Sequence, residues 1–180
     1  MANTDRAYGF EPTGIMYGLQ PYEKDVDGAG ILYRNDLMEI EADGNVIPAA
    51  AASVDIVGSA QGVAAGGTGG ISTATKALSA TVTATTVLGT WDPNQMYWAQ
   101  DDASGTPAQT DIGGSADHIA GGGSTATGIS GFEIAISTTD SAADGIRLLD
   151  FVRRPDNSIG VNADWMCLIN EHTMSKEAGV

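Results

Sequence analysis

Large apolar side chains are unevenly spread along this 180-residue chain, and the densest run lies at residues 146–172, IRLLDFVRRPDNSIGVNADWMCLINEH. Leu148, Leu149, Phe151 and Val152 stand before Pro155-Asp156-Asn157, and Trp165, Met166, Leu168 and Ile169 stand after it. Two apolar runs of strand length around a Pro-Asp-Asn turn predict a hairpin, the framework of a β-rich domain. Upstream, Leu37, Glu39 and Glu41 alternate with Met38, Ile40 and Ala42, and Asp43-Gly44 then leads into Val46-Ile47. An Asp-Gly pair between apolar runs predicts a second hairpin. Residues 54–65 are mostly apolar and predict a buried strand, with Gly58 and Gly62 marking a bulge or a close crossing. In residues 91–100 the Pro93-Asn94 turn precedes a strand carrying Met96 and Trp98 on one face and Tyr97 on the other. FEIAIS at 132–137 alternates as a further strand, and a helical turn is expected near 112–118, capped by Asp111 or Ser115. No run of ten or more residues carries an amphipathic helical period, and no repeat of 20–50 residues is visible.

Two stretches break this pattern. Residues 1–30 scatter Tyr8, Phe10, Ile15, Met16, Tyr17, Leu19 and Tyr22 among five glycines, Pro12 and Pro21, with no sustained period. That is too aromatic for a disordered tail. It predicts an extended arm, distinct from a body at 31–180, that buries its side chains against its own chain or a neighbour's. Fully extended, such an arm reaches about 100 Å, which favours bridging between subunits. The Thr/Ala/Val-rich residues 71–90, after a GGTGG tip at 66–70, predict edge strands with an exposed loop or a variable insertion. The expected fold is mainly β: a compact β-barrel or β-sandwich body with an extended N-terminal arm and long Gly/Thr-rich loops.

Charge narrows the partners. Eight basic residues face 23 acids, a net charge of −15, which makes binding to nucleic acid phosphates a poor prospect. Basic or neutral protein surfaces, or divalent cations, suit such a chain better, although the acidity also serves solubility alone. Cys167 is the only cysteine, so no intrachain disulfide forms, and its place in WMCLI predicts a small buried hydrophobe. No secretory leader and no run of ~20 apolar residues is present, so a soluble protein without a membrane partner is expected.

Candidate chemistry is sparse. GSAQGVAAGGTGG, GGSADHIAGGG and GSTATGISG are glycine-rich, but none continues into Gly-Lys-Ser/Thr or a long helix, so they predict loops and bulges rather than phosphate cradles. His118 and His172 are the only histidines, and with one cysteine they give no metal spacing; INEH at 169–172 lacks the second histidine of a zinc helix. Ser124 and Ser130 lack the frame of a nucleophile elbow. DVDG at 25–28 and DSAADG at 140–145 lack the closing glutamate of a calcium loop. No catalytic residue, cofactor or metal is expected. Arg153 and Arg154 are neighbours, so on a strand one faces inward and the other outward, and the sequence leaves open which.

Three pieces together, MANTDRAYGFEPTG, DPNQMYWAQ with DIGGSADHIAGGGSTATGIS, and LLDFVRRPDNSIGVNADWMCLINEH, resemble a group of tailed-phage head decoration or cement proteins. The likeness runs from residue 2 to 172 and is weakest between 66 and 89. It implies a non-enzymatic virion protein that binds the capsid exterior and clamps neighbouring major capsid subunits, assembled as a trimer or dimer and made in the host cytoplasm. Where relatives carry Pro-Phe-Gly near the start, this chain has Ala7-Tyr8-Gly9-Phe10. On this reading Tyr8, Phe10, Ile15, Met16 and Tyr17 are arm anchors, and Arg153 and Arg154 are polar contacts. A second reading is a carbohydrate- or host-surface-binding module with Trp91, Tyr97 and Trp98 as stacking platforms. A hydrolase is a third, and the residues it needs are absent.

Overall fold

The computed structural model describes residues 3–16, 18–23, 30–53, 55–64, 71–72, 77–78, 86–138 and 144–175. In chain order its strands are β1 (Glu11–Thr13), β2 (Gln20–Glu23), β3 (Leu32–Tyr33), β4 (Leu37–Ile40), β5 (Val46–Pro48), β6 (Ile56–Ala64) and β7 (Ile71–Ser72). They continue as β8 (Ala77–Leu78), β9 (Thr86–Gly89), β10 (Met96–Gln100), β11 (Ser115–Ile119), β12 (Glu133–Ala135), β13 (Ile146–Phe151) and β14 (Asp164–Ile169). One sheet has the order β1-β10-β14-β13-β11-β12, and the other β2-β9-β6-β4-β5 with β7 on β6; β3 and β8 form a separate pair. Both sheets are antiparallel and pack into a compact body. Neither closes on itself, so of the two expected architectures the open sandwich holds and the barrel does not.

The closing hairpin is the centre of the first sheet. β13 and β14 pair Ile146 with Ile169, Leu148 with Cys167 and Phe151 with Trp165, and a bulge falls between Leu148 and Asp150. β10 lies on the other side of β14, so Tyr97 and Leu148 flank Cys167. Trp165, Cys167, Leu148 and Tyr97 are buried in the main core with Phe10, Leu37, Ile56 and Ile134. Burial pushes the Cys167 thiol far above its ordinary range, as befits an inert hydrophobe.

The second sheet is covered on both faces. Leu37 and Ile56 join the main core, while their neighbours Met38 and Val57 point the other way into a second cluster with Leu32, Val46, Ala60 and Val87. This two-sided burial is why β6 reads as nearly continuous apolar sequence. At Gly58 the register slips and the backbone takes φ +143; a side chain there would place its first carbon 2.0 Å from the Thr90 carbonyl. The Asp43-Gly44 hairpin forms as expected, with Glu41 N donating to Asn45 O at 2.9 Å and Ile40 opposite Val46.

Three local expectations are corrected. Residues 115–119 are a strand and not a helical turn, because pairing with β12 and β13 buries Ala116 and His118 and outweighs a weak local helix signal. The turn of 3-10 helix sits earlier, at Gln109–Asp111, where the Asp111 carboxylate accepts from Ala108 N at 2.8 Å. The FEIAIS strand is only Glu133–Ala135 before a second 3-10 turn at Ile136–Thr138. β9, within the threonine-rich segment, is an inner strand and not an edge, because β2 covers it. Residues 66–70 lie outside the described residues.

Gly58→Ala should cost about 3 kcal/mol or more, since it combines a forbidden φ with a backbone clash. Gly44→Ala, at φ +87 with nothing within 4 Å, should cost only about 1 kcal/mol. Urea unfolding of the two variants checks the contrast, and equal losses would show that crowding at Thr90 is unimportant.

Candidate interaction surface

The N-terminal segment is zipped onto its own body by side chains from three separate stretches. Asn3 Nδ2 donates to the carbonyls of Ser158 at 2.8 Å and Val161 at 3.0 Å, while Asn3 Oδ1 accepts from Ser158 N at 3.0 Å. Arg6 N donates to Gln100 Oε1 at 2.6 Å, and Gln100 Nε2 donates to the carbonyls of Thr4 and Asn162, both at 3.0 Å. Tyr8 OH donates to Asp164 Oδ1 at 2.9 Å. Burial and the Asp164 carboxylate both push the Tyr8 phenol above its ordinary value, so it stays a protonated donor.

The same carboxylate holds the closing loop. Arg154 Nη2 pairs with Asp164 Oδ2, and Arg154 Nε lies 2.9 Å from Asp156 Oδ1 as an ion pair without the angle of a hydrogen bond. Asn157 Nδ2 donates to the carbonyls of Val152 at 2.8 Å and Asp164 at 2.9 Å, and Asn157 Oδ1 accepts from Asp164 N at 2.9 Å. Asp101 accepts from the backbone N–H groups of Ala103, Asn162 and Ala163 at 3.0, 3.0 and 2.5 Å. A cavity of about 110 Å³ remains between Asn3, Arg6, Gln100 and Arg154. Its polar walls are bound mainly to one another.

The anticipated contact residues therefore divide. Phe10 is completely enclosed in its own core, edge-to-face with Tyr97 at 6.4 Å between ring centres, so it has no surface left for a neighbour. Tyr8 is half-buried and bound to Asp164. β1 pairs with β10 and β2 pairs with β9, so the arm is laid along one edge of each sheet and does not reach away from the body there. Ile15 and Met16 are the opposite case, 72% and 53% exposed. Tyr17 lies outside the described residues. Arg153 faces outward yet is clamped by Asp150, with Nε and Nη2 at 3.0 and 3.1 Å from its carboxylate and the guanidinium 4.6 Å over the Phe151 ring. Arg154 is the inward member of the pair.

The remaining candidates are parts of the core. His118 Nε2 lies 2.7 Å from the Ala50 carbonyl, so it carries the proton, and its ring stacks on Phe132 at 5.9 Å. Burial pushes both His118 and His172 down to about 4. Asp36 was not visible as special in the sequence: it is buried, accepting from Tyr33 N at 2.7 Å and Ser130 Oγ at 2.5 Å, and burial pushes it up to about 7. Glu133 is also pushed up to about 7, first by burial and then by the carboxylates of Asp5, Asp102 and Asp101. Among the described residues no group of three or more His, Cys, Asp or Glu side chains is placed to hold a metal ion. Tyr97 is buried with its hydroxyl 2.7 Å from Thr90 Oγ1, and Trp91 and Trp98 are half-buried, so these rings do not form an exposed stacking face. The glycine-rich residues 121–131 fold back on themselves through Ser124 N to Ile129 O at 2.9 Å and Gly128 N to Ser124 O at 2.6 Å.

No family model, no curated protein and no solved structure matches this chain. What remains is the surface itself. Among the described residues, the large exposed apolar side chains are Ile15, Met16, Leu19, Ile31, Ile129, Val161 and Met174. Three of them fall in residues 14–19, the tongue that carries the chain from β1 in one sheet to β2 in the other. No described helix is long and apolar enough to cross a membrane.

Phe10→Ala should lose about 3–5 kcal/mol of stability by urea unfolding, because it empties a core site; a loss under about 1 kcal/mol would mean the arm is not part of the fold. The pH dependence has two opposed parts. Each histidine is held neutral, so its contribution is present above about pH 6.5 and is lost as pH falls toward about 4. Asp36 and Glu133 contribute below about pH 4 and lose that contribution as pH rises through about 7. Asp36→Asn should therefore gain stability relative to the unaltered chain between about pH 5 and pH 8. Thermal unfolding across that range checks it, and a flat or falling difference would remove Asp36 from the account.

Proposed function

We propose that this chain is a structural protein of a tailed-phage virion: a head decoration or cement protein that binds the outside of the capsid and clamps neighbouring major capsid subunits. It acts without catalysis, as a trimer or dimer. The observation that carries this reading is the tongue, where Ile15, Met16 and Leu19 stand exposed on a loop pinned at both ends by strand pairing. An adhesive protein needs apolar area on a rigid support more than it needs a pocket.

Two further observations support it. The polar residues of the three resembling stretches, among them Asn3, Tyr8, Gln100, Arg154, Asn157 and Asp164, converge on one clasp and satisfy one another. They serve construction, as expected where function lies in adhesion. The net charge of −15 also keeps the chain away from DNA phosphates, which suits a protein working beside a genome it must not bind.

The test is binding to capsids assembled from a tailed-phage major capsid protein. Removing residues 1–20 is a poor probe, because it takes Phe10 and β1 out of the fold. Replacing Ile15, Met16 and Leu19 by serine leaves the core intact. The triple variant should keep its thermal midpoint within a few degrees and lose at least tenfold in capsid affinity, about 1.4 kcal/mol. Undiminished binding would remove the tongue as the adhesive element.

A further inference from the structure

We infer that Asp36 is a pH-sensitive latch on the glycine-rich loop at residues 121–131: the loop stays fastened over the 33–36 turn while the carboxyl carries its proton, and lifts when the proton leaves. This goes beyond the adhesive reading above and does not depend on it.

The fastening is a matter of geometry. Asp36 is 1% exposed and closes its own turn, its N donating to Tyr33 O at 3.2 Å and its Oδ2 accepting from Tyr33 N at 2.7 Å. Its Oδ1 lies 2.5 Å from Ser130 Oγ, which in turn accepts from Phe132 N at 3.0 Å. Within residues 121–131 only Gly128 and Ser130 are buried, so Ser130 is the loop's single buried side chain. The rest is glycine, alanine, serine and threonine, with Ile129 47% exposed. No apolar side chain of the loop therefore backs up the bond to Asp36. The loop lies directly on the turn, since a first side-chain carbon at Gly123 would fall 2.5 Å from the Tyr33 ring. Ile129 also bridges to Arg34.

The surroundings supply no countercharge. The turn brings Tyr33 and Arg34, the N-terminal segment Tyr8 and Glu11, β4 Glu39, β11 His118 and β12 Glu133; β5, residues 59–61 and the loop itself bring no titratable group. Arg34 is exposed, Glu39 accepts from Ala50 N, and His118 lies on the Ala50 carbonyl. Among the described residues no ion pair reaches Asp36. Burial pushes its carboxyl up to about 7, against a partial lowering by the Ser130 and Tyr33 bonds.

Either protonation state can keep the Ser130 contact, because a hydroxyl donates to a carboxylate and accepts from an acid. What changes is the charge. A buried carboxylate without a cation is unfavourable, and admitting water relieves it. A cavity of about 290 Å³ bounded by Tyr33, Asp36, Phe132, Gly121 and Gly122 lies beside the carboxyl, so lifting the neck of the loop hydrates it. With the folded value raised, closure is fully favoured at low pH and weakens about tenfold per pH unit above about 7.

NMR distinguishes the outcomes through the Asp36 carboxyl carbon shift and the protection factors of the Tyr33 and Phe132 amides between about pH 6 and about pH 8.5. Four proteins are compared: the unaltered chain, Asp36→Asn, Ser130→Ala and Glu133→Gln. In the unaltered chain the carboxyl should titrate near 7, and both amides should lose at least tenfold in protection while the β14 amides hold theirs. Asp36→Asn, neutral at every pH, should keep the protection throughout. Glu133→Gln should leave the fall in place, although burial and Asp5, Asp102 and Asp101 push Glu133 up to about 7 as well. Ser130→Ala should lose at least threefold at Tyr33 already at about pH 6. An Asp36 midpoint below about 5, protection that does not change with pH, or a fall that survives Asp36→Asn overturns the latch. A fall abolished by Glu133→Gln assigns the titration to Glu133 and overturns it equally. Matching losses in β14 would make the event global unfolding, and undiminished Tyr33 protection in Ser130→Ala would remove Ser130 as the fastening; either result sinks the inference.

Discussion

The Asp164 carboxylate is the constraint on which the rest of the structure depends. It begins β14, its side chain is 3% exposed, and it is met by Arg154 and Tyr8. A carboxyl group taken out of water is costly unless its oxygens are paired or hydrogen-bonded, and these partners satisfy them. One comes from the hairpin loop and the other from the N-terminal segment. Asn157 adds a further restraint by bonding both backbone groups of the same residue. Arg154 from the hairpin loop pairs with one oxygen of Asp164, and the docked arm adds the Tyr8 bond to the other while delivering Phe10 to the core. Local polar satisfaction and global packing are coupled through one side chain.

That coupling explains the placement of the arm. Once residues 3–10 are fastened across the end of the first sheet, β1 falls naturally along β10. The chain must then cross to the second sheet, where β2 covers β9 and turns it into an inner strand. The crossing is the tongue. Its exposure follows from geometry, since a loop spanning the edges of two stacked sheets has no third layer to pack against. Apolar residues at such a position gain nothing for the fold of this chain, and that is why Ile15 and Met16 are informative while an isolated exposed apolar residue such as Val161 is not.

Much of the fold was legible where local signals agreed with burial. The closing hairpin, the Asp-Gly hairpin, the facing of Tyr97 against Met96 and Trp98, and the close crossing at Gly58 all follow from period, turn chemistry and one glycine. The strand at 115–119 was not legible, because SADHI carries little bulk and gains its identity from its neighbours in the sheet. The arm was half legible. Its aromatic residues announced burial, but period and propensity carry no address, so Phe10 against its own core and Ile15 in solvent looked alike. Asp36 was illegible for a similar reason: a lone aspartate beside a hairpin gives no sign of enclosure until Ser130 is brought to it across 94 residues.

The distribution of charge completes the physical picture. Arg6, Arg153 and Arg154, three of only eight basic residues, each face a carboxylate of this chain, at Asp164, Asp150 and Asp164 with Asp156. These three cations serve internal construction, whereas Arg34 and Arg147 are exposed, and the net charge of −15 leaves the chain strongly acidic. A net charge of that sign repels polyanions over long range.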